Sequence, residues 1–293
     1  ASGGFKATGV SLSNNDAGTS NTIFGKSAGL SLDAGSNFNV FIGEGVSTGS
    51  MNNAINNVAM GYHALSTVTT GDNNVAIGDH SMMLNKSGEV NVAVGTSALR
   101  SNTGDQNTAV GGNAMYANVG GTNNTVVGHN AGDAMTTTGA TVLIGKSAGS
   151  AINSADADGT VAIGKDALAA LTDGENNIAI GHVAADVLTV SNRNVIIGAE
   201  AFTTAATATG QDDNIGIGYR ALNNANVQDF NRNIAIGSYA LSATGTNQHT
   251  GTIAIGFQAL AGNTSGQLNT AIGYNALVSN VAGDKNVAIG YQA

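Results

Sequence analysis

Asn74-Val75-Ala76-Ile77-Gly78 returns as Asn91-Val92-Ala93-Val94-Gly95 and again as Asn107-Thr108-Ala109-Val110-Gly111. Working outward from these copies, the closing glycine recurs at Gly25, Gly43, Gly61, Gly78, Gly95, Gly111, Gly128, Gly145, Gly164, Gly181, Gly198, Gly218, Gly237, Gly256, Gly273 and Gly290, at intervals of 16 to 20 residues. Self-similarity at a fixed short period is the mark of a solenoid or array, because one repeat cannot bury its apolar face without a stacked neighbour. The phase never breaks. The array therefore occupies residues 21–293 as one domain, with residues 1–20 as a lead-in or partial coil.

Counting from the glycine as position 0 shows what each place in the repeat must do. Position −4 is Asn in thirteen copies and Thr in three (Thr141, Thr160, Thr252). Positions −3 and −1 are β-branched or otherwise apolar, position −2 is usually Ala, position +3 is Ala in fourteen copies, and Leu often follows at +4. A four-residue, β-branched block bounded by glycine cannot sustain a helix and fits a short strand. Strand side chains alternate, so Val and Ile point to one face and Ala to the other. The glycine marks a corner that excludes a Cβ, and the candidate structural corners include Gly78, Gly95, Gly128, Gly145, Gly164, Gly181, Gly198, Gly237, Gly256, Gly273 and Gly290. The segment through Ala-Leu is expected to form a second strand, and the polar remainder turns the chain back. One repeat is thus one coil of an all-β, parallel β-solenoid of about 16 coils of about 17 residues each, stacked ~4.8 Å apart with Asn over Asn. The strand is apolar on both faces, the mark of a strand covered on both sides, so self-association is expected along an outer face of Ala and Leu that includes Leu222 and Leu241.

Composition narrows the function. The chain holds 42 glycines and no proline, cysteine or tryptophan; charged residues are 10% and the net charge is −9. Zero cysteines exclude disulfides, thiolate metal sites and cysteine nucleophiles. An acidic chain with ten Lys and Arg in all is unsuited to a nucleic-acid backbone, and no apolar run reaches the ~20 residues of a membrane span, so neither nucleic acid nor membrane insertion is expected. No interval is long enough to insert a catalytic cleft. Carboxylates such as Asp72, Glu89, Asp105, Asp173, Glu175, Asp212, Asp213 and Asp284 scatter through turns, where they read as solvated, and the chain is expected to be no enzyme and to need no cofactor. The acidic turn Asp156-Ala157-Asp158 stands alone, and His63 and His80 stack in consecutive coils without completing a ligand set, so no metal is expected. Threonine clusters at 67–70, 136–138 and 203–209 do not share a register, which disfavours an ice-binding rank. Asn85, Asn123 and Asn263 fall in glycosylation sequons that an Asn-rich repeat produces by chance. The surface feature that stands out is Phe257, Tyr274 and Tyr291, at position +1 of three consecutive coils: a stacked aromatic ladder, or a candidate platform for a sugar.

The motif from Asn269 to Leu277, Asn-Thr-Ala-Ile-Gly-Tyr-Asn-Ala-Leu, resembles the repeats of YadA-like trimeric adhesin heads and, more closely, the longer repeats of phage tail-fibre and tail-spike shafts. The resemblance covers essentially the whole chain. It implies a left-handed β-roll, a parallel homotrimer, and a rigid element of a virion tail that faces a host-surface glycan or receptor. The alternative it carries is the head of a bacterial trimeric autotransporter adhesin, on the bacterial surface; a subunit of an extracellular filament is a further alternative, suggested by the uncapped last coil. Because the chain stops in mid-repeat at Gly290-Tyr291-Gln292-Ala293, it is expected to be part of a longer fibre.

Overall fold

The computed structural model describes residues 18–203, 210–223, 230–243 and 249–293, so most of the 1–20 lead-in, and Thr204, Thr207 and Thr209, lie outside the described residues. The chain divides into two compact units, 1–137 and 138–293, and each is a parallel β-solenoid. In the first, seven three-residue strands are stacked in sequence: β1 (Thr22–Phe24), β2 (Val40–Ile42), β3 (Val58–Met60), β4 (Val75–Ile77), β5 (Val92–Val94), β6 (Thr108–Val110) and β7 (Thr125–Val127). The second stacks β8 (Val142–Ile144), β9 (Val161–Ile163), β10 (Ile178–Ile180), β11 (Val195–Ile197), β12 (Ile215–Ile217), β14 (Ile234–Ile236), β16 (Ile253–Ile255), β17 (Thr270–Ile272) and β18 (Val287–Ile289). Two further strands, β13 (Phe230–Asn231) and β15 (His249–Thr250), pair with each other in a separate small sheet. Register is unshifted from coil to coil: Val75 lies on Val92, Ala76 on Ala93 and Ile77 on Val94. The only helical element among the described residues is a single 3-10 turn, Ala155–Ala157.

Within each unit the inner coils hydrogen-bond to both neighbours. Val75 N–H donates forward to Asn91 O at 2.8 Å, Gly78 N–H back to Met60 O at 2.8 Å, and Met82 N–H forward to Ala98 O at 2.9 Å. The corner glycines take φ between +132° and +146°. A Cβ on Gly181 would lie 2.5 Å from Gly198 O, so both the backbone conformation and the next coil exclude a side chain.

Two expectations are corrected. The segment after the glycine is not a second strand but a tight turn with left-handed residues at positions +2 and +4, as at His80 (φ 57°) and Met82 (φ 45°). A strand would send +3 and +4 to opposite faces, yet Ala98 and Leu99 are both fully buried. The left-handed residue turns both inward. It also explains why +4 is Leu, Met, Gly, Ser, Ala or Phe and never Val, Ile or Thr, since β-branched residues fit that conformation poorly.

The second correction concerns which face is inside. Ala and Leu form the core and not an outer seam: Ala76, Ala93, Ala109, Leu222 and Leu241 are all 0% exposed. The Val and Ile side chains at −3 and −1 point outward. Volume decides the matter, because positions −2 and +4 face each other across a narrow coil. Where −2 is large, +4 is small in four coils of five: Ile23 with Gly29, Phe41 with Ser47, Val126 with Gly132 and Leu143 with Gly149, the exception being Ile196 with Phe202, both buried. Where −2 is Ala or Gly, +4 is Leu or Met in most coils. Cβ atoms built on Gly149 and on Gly216 would meet Leu143 Cδ1 at 3.0 Å and Leu222 Cδ1 at 2.9 Å, so neither partner has room to grow.

A column of asparagines closes the core. Asn74 N–H and Nδ2 both donate to Asn57 Oδ1, at 3.0 and 3.1 Å, and Nδ2 also donates to Gly88 O at 2.8 Å. Asn91, Asn194, Asn214 and Asn233 repeat the same three bonds, with the carbonyl at position −7 of the next coil as the last acceptor. Thr160, standing at this position, keeps only a long bond to Gly174 O, 3.5 Å.

Candidate interaction face

The outward alternation gives the strand side of each coil four columns, at −5, −3, −1 and +1. The two central columns hold no charged residue in any strand of either unit. Their side chains are partly exposed, with Ile77 and Ile236 at 36% and Met60 at 43%. Among the described residues nothing covers this side of the sheets. The flanking columns are polar or charged in most coils, with apolar exceptions at −5 in Phe38, Val90 and Leu268, about half exposed and all in the left-handed region.

The predicted aromatic ladder forms. Phe257 and Tyr274 stack with centroids 5.2 Å apart at 17°, and Tyr274 and Tyr291 at 5.3 Å and 13°. It also extends to residues the sequence reading missed: Tyr239 meets Phe257 edge-on at 6.4 Å, and Tyr219 meets Tyr239 edge-on at 5.4 Å. Tyr239 stands at +2 and was overlooked for that reason, while the +1 aromatic Tyr219 was separated from the others by Ser238. Arg220 caps the row, 5.2 Å over the Tyr219 ring, with its guanidinium paired to Glu200 at 2.6 Å. Stacking of this kind presents ring edges to solvent and turns ring faces onto one another, which is the wrong aspect for a sugar, whose apolar C–H face lies on a ring face.

His63 and His80 stack at 5.6 Å and 20°, with Tyr62 edge-on to both and His80 Nδ1 2.8 Å from Asp79 Oδ1. Among the described residues no three His, Asp or Glu side chains are placed to hold a metal ion. The sequon asparagines Asn85 and Asn263 are fully buried, with Nδ2 bonded to Gly88 O and Gly266 O; Asn123 is exposed.

Carboxylates read as solvated turn residues prove in part to be structural. At position −6, Asp72, Asp105, Asp158, Asp212 and Asp284 each accept a backbone N–H from the preceding coil, of Ile55, Glu89, Gly139, Asn192 and Gln267, at 2.6 to 2.9 Å. Asn192 and Asn231 do the same for Glu175 and Asp212. The signal was an Asp or Asn at −6 in alternate stretches of the alignment. Asp186, at +5, is the opposite case: half-buried, with Oδ1 enclosed and unpartnered, it has its pKa pushed up to about 6 by desolvation, and Asp166 nearby adds to the rise. Among the described residues no helix is long and apolar enough to cross a membrane. No family model, no curated protein and no solved structure matches this chain.

Proposed function

We propose that this chain is a non-enzymatic structural protein, a shaft or receptor-facing region of a phage tail fibre, which acts as a self-associated, parallel trimeric β-solenoid in the virion tail. The observation that carries the reading is the charge-free Val and Ile face, repeated coil after coil and left open among the described residues. Parallel sheets are found with both faces covered. Covering the remaining exposure of one −3 and one −1 side chain is worth on the order of 1 kcal/mol per coil, and a parallel copy collects it at every coil. The number three, and attachment to a host glycan or receptor, rest on the resemblance of the repeat. The regular coils, which leave carboxylates in turns and not on opposed walls of a cleft, support a structural over a catalytic role.

Sedimentation equilibrium at micromolar concentration tests the assembly. Three times the 28.9 kDa chain mass is expected, and a well-folded monomer overturns the reading. Ile236→Glu with Ile255→Glu places charge in the outer columns and is expected to dissociate the assembly while leaving the core intact. Virion genes on both sides of the coding sequence would support the fibre; a coiled coil and β-barrel anchor downstream would assign it to an adhesin head instead.

A further inference from the structure

We infer that the partner on the open face is a second copy of this chain in unshifted register, with the −5 column of one copy seated against the +1 column of the next. The inference rests on the proposed self-association and adds to it which edges meet. Whenever identical coils are arranged in parallel about an axis along the stacking direction, rotation carries the left edge of each face onto the right edge of its neighbour. Here those edges are the −5 and +1 columns, whatever the number of copies.

Three observations select such a partner. The face repeats at the spacing of β-coils, and only a partner of the same spacing meets every coil alike; another copy has that spacing automatically. No coil charges both edges: Arg193, Asp213, Arg232 and Lys285 at −5 stand level with Ala199, Tyr219, Ser238 and Tyr291 at +1, and Lys26, Glu44, Asp79, Lys146 and Lys165 at +1 stand level with Ser20, Phe38, Asn73, Ala140 and Gly159. Every edge contact in unshifted register is thus free of like-charge conflict. Finally, bulky apolar residues occupy −5 where solvent would favour Asn or Gly: Val90 is 51% exposed at φ 58°, and Leu268 is 49% exposed at φ 57°. A β-branched residue in the left-handed region is an outlier, and an exposed one gains nothing from its own fold. Leu268 stands level with Tyr274, so that the pairing places an aromatic edge over it.

The absence of native cysteine makes the register directly readable. In the full chain, Leu268→Cys and Tyr274→Cys are introduced singly and together, oxidised mildly, and run on a denaturing gel without reductant. The two sites lie at opposite edges of one extended segment, too far apart to bridge within a chain. The expected result is a covalent ladder of linked chains for the double variant, collapsing on reduction, with each single variant remaining largely unlinked. Val90→Cys with Thr96→Cys is expected to do the same in the first unit. Strong linkage of Leu268→Cys to its own kind would mean that like edges meet, and overturns the register. Oligomer in sedimentation with no linkage in either pair overturns it too, while leaving self-association standing; monomer in sedimentation overturns both.

Discussion

The 17-residue coil that ends at Gly95 and the 19-residue coils that end at Gly237 and Gly256 perform the same closure with different residues. In the short coil, position −7 is Gly88, whose carbonyl accepts from Asn74 and whose N–H and carbonyl are held by Asn85 in a compact turn. A Cβ there would lie 2.5 Å from Gly104 O. In the longer coils the same place is taken by Phe230 and His249, both fully buried, whose carbonyls accept from Asn214 and Asn233 at 2.8 and 3.0 Å. There β13 and β15 pair, and Phe202, Phe230 and His249 pack ring against ring at 5.5 and 5.9 Å. The asparagine column is therefore common to both kinds of coil, and the acceptor at −7 can be glycine or a residue with a side chain, as Ser191 also shows in a 17-residue coil.

The greatest damage is expected at the element common to both kinds of coil. Gly181→Val forces a β-branched residue to φ near +144° and drives its Cβ into Gly198 O. Strain and overlap together are worth about 4 kcal/mol or more, enough to unravel the local stack. Thermal melting should fall sharply, and a variant that melts with the parent would show that the corner can be rebuilt.

Somewhat smaller effects separate the two solutions. Phe230→Ala empties an aromatic site and is expected to cost about 3–5 kcal/mol, seen as loss of the cooperative chemical-denaturation transition in the second unit. Asn74→Ala and Asn233→Ala each leave buried polar groups unmatched, at about 2–3 kcal/mol, and the two should cost the same. Unequal costs would mean that the column is not the shared element.

How much of this was legible follows from which signals are local. The period, the corner and Asn over Asn are properties of one position repeated, and alignment of the chain on itself displays them. The inner face depends on a pair of positions. Hydrophobicity favours burying Ile over Ala, and on that ground an Ala and Leu seam was expected outside; the anticorrelation of −2 with +4, as in Leu143 with Gly149 against Ala93 with Leu99, was present in the sequence and carries the opposite answer. The left-handed turn was marked too, by the exclusion of β-branched residues from +4. The aromatic ladder was only half visible, because Tyr239 enters it from a neighbouring position.

The smallest expected effect sharpens the comparison by pH. In the long coil, the buried polar ring of His249 has both nitrogens engaged, Nε2 with Thr264 O at 3.1 Å and Nδ1 with Asn263 Nδ2 at 3.4 Å. In the 17-residue coil that ends at Gly198, Asp186 keeps an enclosed Oδ1 without a partner. Its folded pKa, about 6, lies above the ordinary 3.8, so the folded state binds the proton more tightly than the unfolded chain does. Its contribution to stability is then fully present below about pH 4 and is lost as pH rises through about 6. Two units would correspond to about 3 kcal/mol in a dry site, and solvent at this half-exposed carboxylate reduces that to about 1 kcal/mol. Asp186→Asn should accordingly stabilise the protein at pH 7 by about 1 kcal/mol and leave it unchanged at pH 4. A gain of the same size at both pH values would place the effect in packing and not in charge.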